Sequence, residues 1–527
     1  MRKFLSIFIV AGLFLSCQRE EADAPFATDT DISVLPSTET KASNDGLLGW
    51  VALTGQTNIS AEEAQETALA TAMQMREVEG IVTKAPLKIG SIEVVKGNTR
   101  KPYVPTKGNA KPEQADVYIV NFANNQGYVI TSADRRVPGV LAYNSYGHLG
   151  DTISNPGQAI LFSYMQAYIE EQRAAFEANK EKLATEAEEA IFKQLSKERQ
   201  AELIAQGLFD KEGKRVKSKF EPDEGKGRKF KNFLCIEPDH YKEDIYIYGE
   251  WKTDVIGPLV KTLWSQENDY NEKVSMQCGN NKAPVGCVSV AVGQLLAYHK
   301  KPDSVVGRKM HWDDMTKIDS GDMFSNIYSH NVWNNSTAKE DIQYLLAHLG
   351  DNDLLEMKYT CDKGSSSDVD KALHTFHQLG YKDAYVENFQ VPKVISEIKK
   401  RNPIYIGGSD IVETYKTGWW IFKTTHYKYS GHAWVIDGYM KRYRTVEMHT
   451  TCDSPDDFLH VGEEGFSLVH YNLGWGGYKD GSSPYHGSGW YNLGIFDTNG
   501  DKEPSNAYKS GVKGNYQYRV KTILNIK

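Results

Sequence analysis

Apolar residues in this chain change their rhythm several times, and each change marks an element. After Ser60 the apolar positions recur at helical spacing through an Ala-rich stretch. Ser60 followed by Glu63 is a capping-box pattern, so a helix is predicted to start there and to end at Gly80. From Asp116 the period shortens: VYIVNF, the turn residues Asn124 to Gly127, and YVITSAD predict a hairpin in an antiparallel sheet. After Asn155-Pro156 the residues Ile160, Leu161, Tyr164, Met165, Tyr168 and Ile169 return to helical spacing. A charged helical stretch, expected to be mostly solvated, continues to about Gly207. Further on, VSVAVGQLLAYH after Cys287 reads as a buried helix, while SGHAWVIDGY and FSLVHYNLGWGG read as strands. Helices and antiparallel strands in separate runs predict an α+β chain. No internal repeat is visible.

The 527 residues suggest two to four domains. With 61 Lys and Arg against 69 Asp and Glu, the net charge of −8 leaves no basic footprint for nucleic acid. Residues 210–231 are locally different, with nine basic against five acidic side chains and little apolar content. Residues 210–250 are therefore expected to be a basic linker that proteases nick easily. From Trp251 the composition returns to that of a packed domain.

The chain starts with Arg2 and Lys3, the apolar run Phe4 to Leu15, and Ser16 before Cys17. That order predicts a secretory signal over residues 1–16. The run LFLSC resembles a bacterial lipobox, which would make Cys17 the lipid-modified first residue of an outer-membrane lipoprotein. Phe14 departs from the usual Leu. Residues 17–46, rich in Thr, Ser, Asp and Ala, are expected to form a flexible tether. The apolar run is too short to span a bilayer, so the membrane is expected as a partner only through the lipid.

Six cysteines are too few for a disulfide scaffold and contain no CxxC pair. Cys235, Cys278, Cys361 and Cys452 could pair in three ways or remain free. His449, Cys452, His460 and His470 lie close together in sequence but lack paired-ligand spacing, so no metal and no other cofactor is expected. GxxxxGK[ST], HExxH and GxSxG runs are absent.

Cys287 is the candidate for chemistry. A thiol at a helix N-terminus is favoured as thiolate by the macrodipole and the free N–H groups. Downstream stand His432, 145 residues on, and Asn472, 40 further. The order Cys, His, Asn suits a nucleophile, a general base and acid, and a residue that orients the base. Gln266, 21 residues before Cys287, is a candidate donor to the oxyanion.

The chain resembles the streptopain family of papain-fold cysteine peptidases, made with an inhibitory prodomain. GPLVKTLWSQENDYN, PVGCVSVAVGQLLAYHKKP, HWDDM, GHAWVIDGY and HYNLGWGG fall in the family's order, and YIVNFANNQGYVITSADRRVPGVLAYNSYGHL resembles its prodomain. The resemblance implies a catalytic domain of a helical part and an antiparallel-sheet part over residues 251–527, an inhibitory prodomain over 47–209, and activation by cleavage in 210–250. It also implies that Cys287, His432, Asn472 and Gln266 hold the roles given above, and that Trp475 shields the His–Asn pair. Expected substrates are extended peptides with an apolar side chain two residues before the scissile bond. Leu473 stands where the family has Trp, and Val285 where it has Thr. Two other readings use the same residues. An inactive peptidase fold could serve as a surface binding protein, and a Cys-His acyl transferase such as a transglutaminase could use the same triad. A binder would normally have lost a reacting residue, and the motifs favour hydrolysis.

Overall fold

The helix expected after Ser60 is α1 (Ala61–Val78), and the Ser60 hydroxyl accepts the Glu63 N–H at 3.1 Å. This computed structural model describes residues 52–53, 57–81, 86–97, 99–104, 115–150, 156–216, 243–267, 269–317, 335–361, 364–417, 424–451, 457–476, 487–496 and 520–527. The expected signal, Cys17 and the tether lie outside them, as do most of the basic linker and the loop that follows Gly476. Among the described residues no helix is long and apolar enough to cross a membrane.

Five strands follow α1: β1 (Ile89–Lys96), β2 (Thr99–Pro102), β3 (Val117–Phe122), β4 (Tyr128–Ser132) and β5 (Val140–Asn144). The predicted hairpin is the antiparallel pair β3–β4. Its turn closes at Gly127, whose φ is +97° and where a Cβ would lie 2.1 Å from the Asn144 carbonyl oxygen, so only glycine fits. Both faces of these strands are covered. Val120, Phe122 and Val129 share a buried cluster with Ala68, Ala72 and Met75 of α1. Val117, Ile119 and Ile130 share another with Leu161, Met165 and Ile169 of α2 (Pro156–Gln194). Alternate residues thus meet different helices, which is why the strands read as unbroken apolar runs.

The later part of α2 is mostly exposed or half-buried, as expected, but one edge of it is packed. Phe176, Ala184, Ala187 and Phe192 are buried with Leu203 of α3 (Lys197–Ala205) and with Phe209. Arg215 turns back to Glu188 in a buried ion pair at 2.7 Å. Charged neighbours hide this apolar edge in the sequence. Residues 210–216, assigned to the linker by composition, belong to this packed unit. Residues 243–248, at the linker's other end, form strand β6 (Glu243–Tyr248), and β7 (Lys252–Ile256) follows.

The remaining strands are β8 (Tyr385–Asn388), β9 (Ile404–Thr417), β10 (Thr424–Thr451), β11 (Asp457–Asn472), β12 (Gly489–Asn492) and β13 (Lys521–Leu524). Their order, continued through the early strands, is β8-β13-β9-β10-β11-β12-β5-β4-β3-β1-β2, with β6 and β7 also paired to β10. Against this sheet pack α4 (Cys287–His299), α5 (Ser336–His348), α6 (Val369–Gln378) and α7 (Val391–Lys399). The C-terminal half therefore has the expected helical part and antiparallel-sheet part, and the α+β class holds.

One short junction makes the two halves a single sheet. In the β12–β5 pairing Trp490 faces Tyr143 and Tyr491 faces Ala142. Side chains reinforce it: Asn144 donates to the Ser488 carbonyl at 2.8 Å, Arg442 to the Ala70 carbonyl at 3.1 Å, and Trp490 to Glu79 at 2.9 Å. Burial pushes the Glu79 carboxyl above its ordinary range, against the pull of its hydrogen bonds from Trp490 and Tyr143.

Candidate active site

Cys287 opens α4 behind Gly286, whose φ of +87° turns the chain into the helix. A Cβ at Gly286 would lie 2.3 Å from the Met357 methyl and 2.9 Å from the Ser365 carbonyl oxygen, so this corner is built tight. The wall behind it is braced by the Cys278–Cys361 disulfide and by the Ser365 hydroxyl on the Pro284 carbonyl at 2.6 Å. That pairing joins two of the four cysteines left open above. Residues 288–297 are all buried, as the apolar run requires. Their packing fixes the helix axis and therefore the direction of its free N-terminal N–H groups.

His432 stands on β10, one residue before the backbone that meets the sulfur: the Ala433 N–H donates to Cys287 Sγ at 3.2 Å. The strand segment that carries His432 thus meets the sequence-distant cysteine through its main chain. The imidazole is buried, 3% exposed, and flanked by two indoles, Trp434 at 5.8 Å and Trp475 at 6.3 Å between ring centroids. Trp475 is stacked beside the histidine.

The expected bond from His432 to the Asn472 side chain is not the one made. His432 Nε2 meets the main-chain carbonyl of Leu473 at 3.0 Å. A carbonyl only accepts, so Nε2 carries the proton and Nδ1 keeps the lone pair that a general base needs. The Asn472 amide is engaged elsewhere: it donates to the Thr262 carbonyl at 2.7 Å and accepts from Gly474 N–H at 3.3 Å and from Gln294 at 3.2 Å. Leu473, the departure from the family pattern, is itself buried in the cluster that contains Trp434 and Tyr471. Gln266 is buried, and its carbonyl accepts Val285 N–H at 3.0 Å, which sets its segment alongside the residues leading into Cys287.

Two residues outside the expected set belong to this neighbourhood. Asp437 and His470 form a buried pair at 2.6 Å, and Asp437 also accepts Val260 N–H at 2.9 Å. This pair accounts for His470 among the four clustered metal candidates. The side chains of His449, Cys452 and His460 lie outside the described residues, and among those described no group of three His, Cys, Asp or Glu could hold a metal.

Cys287 is disulfide-bonded. In that state it carries no thiolate. Burial pushes the His432 imidazole down to about 4, with the Leu473 carbonyl pulling weakly the other way. The sign of the consequence follows from proton counting. Between pH 6.5 and about 4 the unfolded chain binds a proton at His432 that the folded chain refuses, so stability falls as pH falls through that window. The full effect is roughly 3 kcal/mol. Thermal unfolding of the precursor followed against pH should show this loss, and His432→Gln should flatten it; an unchanged slope in the variant would exclude this assignment.

Residues 264–482 match the Peptidase C10 family, and residues 57–169 match the Spi protease inhibitor. Streptopain of Streptococcus pyogenes is 22% identical over 425 residues, which cover 76% of this chain and 80% of that protein. The thiol protease/hemagglutinin PrtT of Porphyromonas gingivalis is 22% identical over 391 residues, 71% of this chain. The chain spans about a third of PrtT, 34% of its length. Among solved structures, a Prevotella intermedia prointerpain A fragment matches over 78% of this chain and 96% of its own, with 16% identity and a TM-score of 0.40. Active interpain A from the same organism matches over 55% and 97%, with 18% identity and a TM-score of 0.31. The chain therefore combines a Peptidase C10 domain, the streptopain-type peptidase domain, over residues 264–482 with a Spi-type inhibitor domain ahead of it over residues 57–169.

Proposed function

We propose that this protein is the zymogen of an exported thiol endopeptidase, anchored to the outer membrane through Cys17 and acting on extended peptides. The observation that carries the reading is the meeting at one point of the α4 N-terminus, the Cys287 sulfur and the His432 segment. Reduction comes first. An external thiolate attacks the Cys287 disulfide, a mixed disulfide forms and is displaced by a second thiol, and the liberated Cys287 is left as thiolate or thiol.

His432 then takes the thiol proton at Nδ1, and the thiolate attacks the scissile carbonyl carbon. Charge develops on the carbonyl oxygen. The Cys287 N–H and the Gln266 amide are the donors assigned to it, the first because a helix N-terminus leaves that N–H without an intrahelical acceptor. Collapse of the tetrahedral species breaks the C–N bond, and the imidazolium protonates the departing amine. A thioester remains. Water, deprotonated by His432, hydrolyses it and returns the thiolate–imidazolium pair. Trp434 and Trp475 keep bulk water from the imidazole, and the Leu473 carbonyl holds its far nitrogen.

The test combines labelling and turnover. With the prodomain removed, iodoacetamide should modify Cys287 only after reduction, faster than any other thiol, and peptide hydrolysis should appear in step with that labelling. A reduced, processed protein whose Cys287 labels no faster than an ordinary thiol, and which cleaves no member of a mixed peptide library, would refute the peptidase reading.

A further inference from the structure

The helix that carries Cys287 contains one buried amide, Gln294, and nothing in the reaction so far uses it. Gln294 lies seven residues after Cys287, two turns along the same face of α4, and is fully buried. A buried carboxamide in an apolar helix costs desolvation energy unless its polar atoms are paired. Its neighbours Val290, Leu295 and Leu296 show that the position could have been aliphatic.

Its polar atoms are paired entirely with the segments that build the site. Gln294 Oε1 accepts the Trp264 N–H at 3.1 Å and the Thr262 hydroxyl at 3.2 Å, on the segment that leads to Gln266. The two carboxamides of Gln294 and Asn472 then meet in both directions, Nε2 to Oδ1 at 3.2 Å and Nδ2 to Oε1 at 3.2 Å. With Thr262 and Gly474 as its other partners, Asn472 has both amide hydrogens and both oxygen lone pairs committed. That is why His432 takes the next carbonyl along the chain. One side chain thus ties together the helix of the nucleophile, the segment of the oxyanion donor and the loop that holds the base.

Resting on the peptidase reading above, we propose that Gln294 is a positioning residue for peptide hydrolysis: its amide pair with Asn472 fixes the 472–474 chain so that the Leu473 carbonyl holds His432. The role needs a donor and an acceptor in one side chain. Leucine supplies neither, and an ionised glutamate supplies only the acceptor.

The experiment uses the processed, reduced enzyme, with kcat expressed per titrated Cys287 thiol. Gln294→Leu should lower kcat about 10- to 100-fold with KM changed by no more than about twofold, because binding contacts are untouched while the base is misplaced. Its basic pH limb should move to lower pH, since a loosened Nε2–H acceptor holds imidazolium less well. Gln294→Glu should approach the parent rate at low pH, where the buried carboxyl keeps a proton to donate, and lose activity as pH rises. Combining Gln294→Leu with Asn472→Leu should cost no more than the worse single change.

Parent-like kcat per site and an unshifted pH profile in Gln294→Leu would overturn the proposal even if that variant melted earlier. So would a Gln294→Glu profile that follows the parent, which decides the matter if Gln294→Leu does not fold. Additive losses in the double variant would also overturn it. If the parent itself cleaves no peptide, the peptidase reading fails and this inference with it.

Discussion

Cys287→Ala is expected to remove peptide hydrolysis altogether, by at least about 10⁴-fold in kcat/KM, because the covalent route disappears rather than weakens. The fold should survive: Cys287 sits on the first turn of a helix whose stability comes from the apolar side chains behind it, and alanine is a good helix former. Peptide turnover by the reduced, processed variant is the measurement, with circular dichroism confirming that α4 and the sheet remain. Residual hydrolysis within a hundredfold of the parent would place the nucleophile elsewhere. The same variant asks a second question about maturation. If linker cleavage in the precursor stops with Cys287→Ala, the enzyme cuts itself; if cleavage continues unchanged, another protease is sufficient.

Cutting the linker is not expected to be enough for activity, and here the expected effect is nearly as large. The Spi-type domain does not rest on the peptidase domain as a separate body. It extends the same sheet through β5 and β12, shares a buried cluster in which Leu161 and Met165 accompany Trp434, Tyr471 and Leu473, and shares another in which Ala72 and Met75 accompany Met440, Phe466 and Trp490. Each fully buried large apolar side chain contributes about 1.5–3 kcal/mol. Several such residues on each side hold the cut pieces together without a peptide bond. A precursor nicked between 217 and 242 should therefore migrate as one particle on gel filtration and show less than about a hundredth of the activity it gains once the N-terminal piece is degraded or separated. Full activity immediately on nicking, with both pieces still together, would contradict this.

Much of the site could be read from residue order alone, for physical reasons. A Cys at the head of an apolar helix is by itself more often a core residue, and Cys287 stands out only through the order Cys, His, Asn, with His432 within one strand and Asn472 at the end of the next. The bond that holds His432 could not be read, since it belongs to a main-chain carbonyl and carries no residue signature. Gln294 left one trace, a lone amide within VSVAVGQLLAYH, two turns from the cysteine. The pairing of Cys278 with Cys361 spans 83 residues, and only the fold brings the two near. In the long helix α2 the buried Phe and Ala residues are outnumbered by charges, so composition pointed to solvent where packing decides.

The single sheet has a consequence for how the molecule is made. β12 is only four residues long and owes one of its two neighbours to the N-terminal half. During synthesis that half emerges first, so its β5 edge is available as a template before any of the peptidase strands exist. A mature domain that has shed it keeps the shape but not the mould. If such a domain unfolds, β12 must be rebuilt with one edge bare, and recovery is expected to fail or to need the lost piece added back. Maturation thus commits each molecule to one working life: it is folded once beside its inhibitor and thereafter held in shape by the slowness of unfolding.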